Sequence, residues 1–159
     1  MVMNENGSRI EAKIQELGYE LPQAPAPVAA YVPAVTAGGF VYTSGQLPFV
    51  QGKLPQSGKV GSDVDSAEAQ KYAAIAALNA LAAAKQAIGD LDRIKRIVKV
   101  VGFVASEPSF TAQPAVINGA SELLGEIFGE AGVHARYAVG VAVLPLDAPV
   151  EVEIIAEYE

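Results

Sequence analysis

The stretch IKRIVKVVGFVA, residues 94–105, decides the fold. Its β-branched and aromatic residues favour a strand over a helix. Two-residue alternation puts Val98, Val100 and Val104 on one face and Ile97, Val101 and Phe103 on the other. Both faces are apolar. That pattern predicts a central strand, covered by a helix on one side and by something else, such as another subunit, on the other.

The flanking segments supply the rest of the sheet and the helices. Residues 65–88 predict the longest helix: Asp65 and Glu68 have capping spacing, Ile75, Leu78, Ala82 and Lys85 follow helical periodicity, and Gly89 stops it. Ala73, Ala76, Ala80 and Ala83 would let its axis lie close to a sheet. Val116, Ala120, Leu123, Leu124 and Ile127 mark a second long helix closed by Gly129. Strands are predicted at residues 136–144 and 150–158, the last with Glu151, Glu153, Ile155 and Glu157 on one face and Val150, Val152 and Ile154 on the other. Upstream, residues 31–37 and 40–45 read as a hairpin around Gly38-Gly39. Residues 47–60 suit an irregular hairpin or exposed loop. Ser8, Glu11, Ile10, Ile14, Leu17 and Gly18 outline a short capped helix, followed by a Pro/Ala-rich connector over residues 21–33. The expected organisation is therefore an amino-terminal helix and connector over residues 1–30 and one α+β domain over residues 31–159. The domain is a mixed sheet with helices on one face, and its uncovered face makes oligomerisation a reasonable inference.

Composition narrows the function. The chain has 159 residues, 51% of them apolar, with no cysteine, a single histidine (His134) and a net charge of −7. Disulfides, thiolate nucleophiles and thiolate-bound metals are ruled out, and His134 cannot build a metal site alone. Residues 1–9 are polar and no run approaches a membrane span, so a cytoplasmic protein with no membrane partner is expected. Arg93, Lys95, Arg96 and Lys99 make only a short basic stripe beside Asp90 and Asp92, which does not suit nucleic acid. No GxGxxG or Walker pattern calls for a nucleotide, and no cofactor is expected.

The remaining candidates for a polar pocket are Arg136, the glutamates at 151, 153 and 157, and the run Tyr42-Thr43-Ser44-Gly45-Gln46. Arginine forks two hydrogen bonds onto a carboxylate, and a glutamate beyond it can hold a water or move a proton. On composition alone, Arg136 reads more readily as a solvated strand-end charge.

A longer set of residues changes that weighting. Tyr42-Thr43-Ser44-Gly45-Gln46-Leu47-Pro48, the strand ending near Phe103, Asn118 on the second helix, His134-Ala135-Arg136, Leu144-Pro145-Leu146 and Val150-Glu151-Val152-Glu153 together resemble the reactive-intermediate deaminase (Rid or YjgF) family, also labelled endoribonuclease L-PSP. The resemblance runs over residues 31–157. It implies a chorismate-mutase-like α+β fold, with a mixed sheet of about six strands and two long helices on one face. It also implies a homotrimer whose sheets form a central barrel, with clefts at the subunit interfaces, and hydrolysis of 2-aminoacrylate-like enamines and their imine tautomers to 2-ketoacids and ammonia.

On this resemblance Arg136 grips the substrate carboxylate and Glu151 positions the attacking water. Ser44 and Gly45 line the cleft, Tyr31 lies near it, and Asn118 matches a helix asparagine. Ala138 stands where many members have a cysteine, and Val32-Pro33 replaces a polar stretch. The amino-terminal extension resembles that of a longer subgroup. The competing expectation is a non-catalytic trimer that senses a small carboxylate. A ribonuclease ranks third, for want of a basic groove.

Overall fold

The computed structural model describes residues 7–24, 26 and 30–159; residues 1–6, 25 and 27–29, which include part of the expected connector, lie outside the described residues. The elements in chain order are α1 (Arg9–Glu16), β1 (Ala34–Ala37), β2 (Phe40–Thr43), α2 (Ser66–Ile88), β3 (Ile94–Ala105), α3 (Gln113–Phe128), β4 (Ala135–Val141) and β5 (Val150–Tyr158). They form an α+β fold with one mixed sheet in the order β1-β2-β5-β3-β4. All neighbours are antiparallel except β3 and β4, which run parallel because α3 carries the chain back across the sheet between them.

Among the described residues the sheet has five strands, not about six. Residues 47–60 contribute only isolated bridges, between Val50 and Lys53 and from Val60 to Val64 and Ser106. Pro48 and Pro55 have no N–H to give a ladder, and Gly52 and Gly58 adopt positive φ, so the segment stays irregular. It is tethered by Asn79 of α2, whose Nδ2 donates to the carbonyls of Leu47 and Phe49 at 2.9 and 3.1 Å. The outer strands are shorter than expected. β1 begins at Ala34 because Pro33 accepts from the Ser44 N–H (2.7 Å) but has no N–H of its own to complete the pair, and β4 ends at Val141.

Helices α2 and α3 cover one face. Asp65 caps α2 by accepting from the Glu68 N–H at 2.8 Å, and Ala73, Ala76, Ala80 and Ala83 are wholly buried. Small side chains allow this close approach. On β3, Gly102 plays the same part toward α3, since a Cβ there would come within 2.6 Å of Ile117.

The face assignment within β3 differs from simple alternation. Ile97, Val100 and Val104 are all fully buried against the helices, while Val98 is only half-buried. An irregularity in pairing between Ile97 and Lys99 inserts one residue and shifts the pleat by one position. Carboxyl to it, the alternation is regular: Val101 and Phe103 face away from the helices, opposite Glu153 and Glu151 of β5. On β5, Val150, Val152 and Ile154 are buried and Glu151, Glu153 and Glu157 lie on the far face, as the sequence predicts.

That far face carries no helix among the described residues. Its apolar groups include Val35, Tyr42, Tyr137 and Val139, all exposed, beside half-buried Val101, Phe103 and Ile155. Lys99 lies 4.8 Å over the Tyr137 ring. No described helix is long and apolar enough to cross a membrane.

Helix α1 packs at the corner where α2 meets β3. Ser8 caps it through the Glu11 N–H (3.2 Å), and Asp92 accepts from Ser8 Oγ and from the N–H groups of Arg9 and Ile10, each at 2.8 Å. Burial alone would raise the Asp92 carboxyl, but these hydrogen bonds outweigh it and hold the group below the usual aspartate range. Ile10 and Ile14 are buried beneath.

Candidate functional site

The expected site residues fall into two groups. The first gathers around Arg136, at the start of edge strand β4. Residues at i and i+2 of a strand share a face, as do residues at i and i+3 of a helix. His134 and Arg136 are therefore aligned, and so are Asn118 and Ser121 on α3. The four meet. Arg136 Nη1 donates to Asn118 Oδ1 at 2.8 Å and to Ser121 Oγ at 3.3 Å. Ser121 Oγ lies 2.8 Å from His134 Nε2, and His134 Nδ1 lies 2.6 Å from the Gly132 carbonyl. Among the described residues no carboxylate forms an ion pair with Arg136, and its remaining N–H groups keep their donor capacity. Ala138, two residues on, pairs with Gly102 and packs against the helix-side core.

The second group surrounds Glu151. Strand β2 follows β5 as far as Tyr42, opposite Ile155. Thr43 then substitutes its side chain for a backbone acceptor: its buried Oγ1 accepts the Ile154 N–H at 3.0 Å. Gln46 rejoins β5 through a reciprocal pair of bonds with Val152, at 2.8 and 3.0 Å. Between these ties Ser44 and Gly45 leave the ladder, and Gln46 Nε2 fixes the Ser44 hydroxyl at 3.0 Å. Gly45 sits directly against Glu151, where even a methyl group would come within 2.8 Å of the Glu151 Cδ. Burial pushes the half-buried Glu151 carboxyl above its ordinary value, and the negative charge of Glu153 adds to this. Tyr31, largely exposed, lies two residues before Pro33, whose carbonyl holds the Ser44 N–H.

Within one chain the two groups do not meet. Arg136 pairs with Val100, whose side chain is buried against the helices, whereas Glu151 pairs with Phe103 on the opposite face. The arginine and the glutamate therefore belong to opposite faces of the sheet. A cleft of about 440 Å³ between α1 and the end of α2, lined by Glu11, Gln15, Leu21 and Lys85 among others, contains neither group.

Sequence reasoning paired Arg136 with Glu151 but passed over Ser121 and left His134 without a role. The signal was present in the spacing: Ser121 stands one helical turn from Asn118, and His134 one strand repeat from Arg136.

Comparison with known proteins is consistent across this framework. The family model described as YjgF/chorismate mutase-like, a description that also carries the word endoribonuclease, matches residues 11–158. The chain is 46% identical over 150 residues to protein TCP17 of Trypanosoma cruzi, covering 94% of each chain. It is 36% identical to the 2-iminobutanoate/2-iminopropanoate deaminase of Salmonella typhimurium, covering 84% of this chain and 91% of that one. A crystal structure of a protein of unknown function from Agrobacterium tumefaciens superposes with a TM-score of 0.89 at 50% identity, covering 94% of this chain and 92% of the other.

Proposed function

This chain belongs to the YjgF/chorismate-mutase-like family, and from that premise we propose that it hydrolyses 2-imino acids and their enamine tautomers to 2-ketoacids and ammonia. The observation that carries the reading is a hydrogen-bonded arginine with donors to spare on one sheet face and, on the other, a half-buried glutamate held against a glycine. The relative from Salmonella typhimurium bears the name of that chemistry.

In this reading Arg136 receives the substrate carboxylate on the N–H groups it does not spend on Asn118 and Ser121. Glu151, as carboxylate, takes a proton from water as the water oxygen adds to the C=N carbon. The nitrogen gains a proton to give a carbinolamine. Glu151 then takes the hydroxyl proton and passes it to the amine nitrogen, the C–N bond breaks, and ammonia leaves with the electron pair as the C=O bond forms. An elevated carboxyl pKa suits a group that must both accept and return a proton near neutral pH. Ser44 and Gly45 form the wall beside Glu151, Tyr31 borders it, and Ala138 lies on the Arg136 side.

Because Arg136 and Glu151 lie on opposite faces, the active unit requires Arg136 of one copy and Glu151 of another. A homotrimer with clefts between its subunits meets that requirement. The exposed Val35, Tyr42, Tyr137 and Val139 support the same assembly, because apolar groups spread over one sheet face favour contact with a second surface.

The test is a coupled assay in which an amino-acid oxidase generates imines and ketoacid formation is followed. Arg136→Ala removes a charge-assisted contact of roughly 1.5–3 kcal/mol and lowers kcat/KM about ten- to a hundredfold. Undiminished hydrolysis by that variant overturns the proposal. A wild type that binds 2-oxobutanoate yet accelerates no imine hydrolysis identifies a carboxylate-binding protein instead.

A further inference from the structure

Arg136 is one end of a chain of hydrogen bonds whose other end is a backbone carbonyl. The Gly132 carbonyl can only accept, so His134 Nδ1 must carry the proton across the 2.6 Å contact. That leaves Nε2 of the neutral ring as an acceptor. The Ser121 hydroxyl, 2.8 Å away, therefore donates to it. With its hydrogen committed to the imidazole, the serine offers only lone pairs to Arg136 Nη1 at 3.3 Å. Each bond fixes the direction of the next.

We propose that His134 is a positioning residue which, through Ser121, holds the Arg136 guanidinium in the orientation that receives the substrate carboxylate. The inference rests on the reading in which Arg136 binds that carboxylate. Without the imidazole, the serine hydroxyl can rotate and turn its hydrogen toward the guanidinium, replacing an attraction with a repulsion. The guanidinium is then held by Asn118 alone and regains freedom that must be lost again when substrate binds. Asn118 supplies one fixed acceptor; the serine supplies a second, and only His134 makes it an acceptor.

The roles of the two imidazole nitrogens allow a discriminating experiment on the full chain. In His134→Gln the amide can reach the position of Nε2 and accept from Ser121, whereas in His134→Asn it reaches only the position of Nδ1. These variants, Ser121→Ala and Arg136→Ala are compared by KM and kcat for 2-iminobutanoate generated in the assay. The dissociation constant for 2-oxobutanoate, a carboxylate that is not turned over, and the melting temperature are measured alongside.

His134→Asn and Ser121→Ala are expected to raise KM and the 2-oxobutanoate dissociation constant by about three- to tenfold, the worth of one side-chain hydrogen bond, with kcat within twofold. His134→Gln should restore most of the loss. The double variant His134→Asn/Ser121→Ala should be no worse than either single one, because both break the same chain. Wild-type affinity in His134→Asn, whether or not its melting temperature falls, overturns the proposal while Arg136→Ala still loses binding. Equal defects in the Gln and Asn variants, or multiplying defects in the double variant, overturn it as well. If Arg136→Ala binds and turns over normally, the functional reading falls first and the inference with it.

Discussion

Replacing Gly45 with alanine separates where the Glu151 carboxylate is held from whether it is present. Gly45 lies outside the left-handed backbone region, so the main chain accommodates alanine. The new methyl group meets the Glu151 side chain instead, reaching within 2.8 Å of Cδ and 3.0 Å of Cγ. Those atoms belong to the free end of a flexible, half-buried side chain, which gives way by rotating at a cost of about 0.5–1.5 kcal/mol. That corresponds to a fall in melting temperature of a few degrees at most. Catalysis is far less forgiving: a displacement of about 1 Å in a reacting group can cost on the order of a hundredfold. Gly45→Ala should therefore lower kcat roughly a hundredfold in the coupled imine assay. KM should change little, because the proposed function rests carboxylate binding on Arg136 at the other face. The variant Gly45→Ala/Glu151→Gln should be no slower than Glu151→Gln alone, since both remove the same positioned group. Wild-type kcat in Gly45→Ala, or a double variant slower by the product of the two losses, would show that Glu151 does not act from this position.

Thr43→Val keeps the β-branched shape but leaves the buried Ile154 N–H without its acceptor; a loss of about 1–3 kcal/mol is expected in urea denaturation, with Thr43→Ser close to wild type. Asp92→Asn weakens the three bonds that hold α1. Because the folded Asp92 carboxyl is depressed, its stabilisation is fully present above the ordinary aspartate value of about 3.9 and fades as pH falls through the lower folded value. At neutral pH the variant should be less stable by about 1 kcal/mol, modest because the site is solvent-accessible. The difference should close on acidification, and α1 amides should exchange faster.

Much of the fold is legible in the sequence because local pattern and global position agree in β3, β5 and both long helices. The capped α2, rich in alanine and closed by Gly89, is marked by propensity and its end signals, and the alternating Val150, Val152 and Ile154 against Glu151 and Glu153 carry one dominant periodicity. Alternation fails at Ile97 and Val98, where a pairing irregularity shifts the pleat; two apolar faces hide such a shift, since either register buries an apolar side chain. Residues 47–60, read as an irregular hairpin or exposed loop, add no strand to the sheet, because short apolar pieces cannot form a ladder across residues that lack donors or turn the chain. For the site, residue type and family resemblance singled out Arg136 and Glu151 but not their faces. Relative facing depends on which strand pairs with which, and the parallel β3–β4 register is a tertiary fact. Ser121 escaped notice because one serine on an amphipathic helix looks like any other polar position.

The opposed faces of Arg136 and Glu151 also bear on how damage spreads through an assembly. On the proposed function each chain would carry two unlike half-sites on one backbone, so a closed ring of copies would have as many complete sites as members. Every site would then join the arginine half of one chain to the glutamate half of a neighbour. A chain defective in one half would still lend its sound half to the next. Two populations of inactive chains, one lacking the arginine and one lacking the glutamate, would regain function when they assemble together, though neither could do so alone. Dilution would act as an inhibitor, since it removes the neighbour without altering any residue.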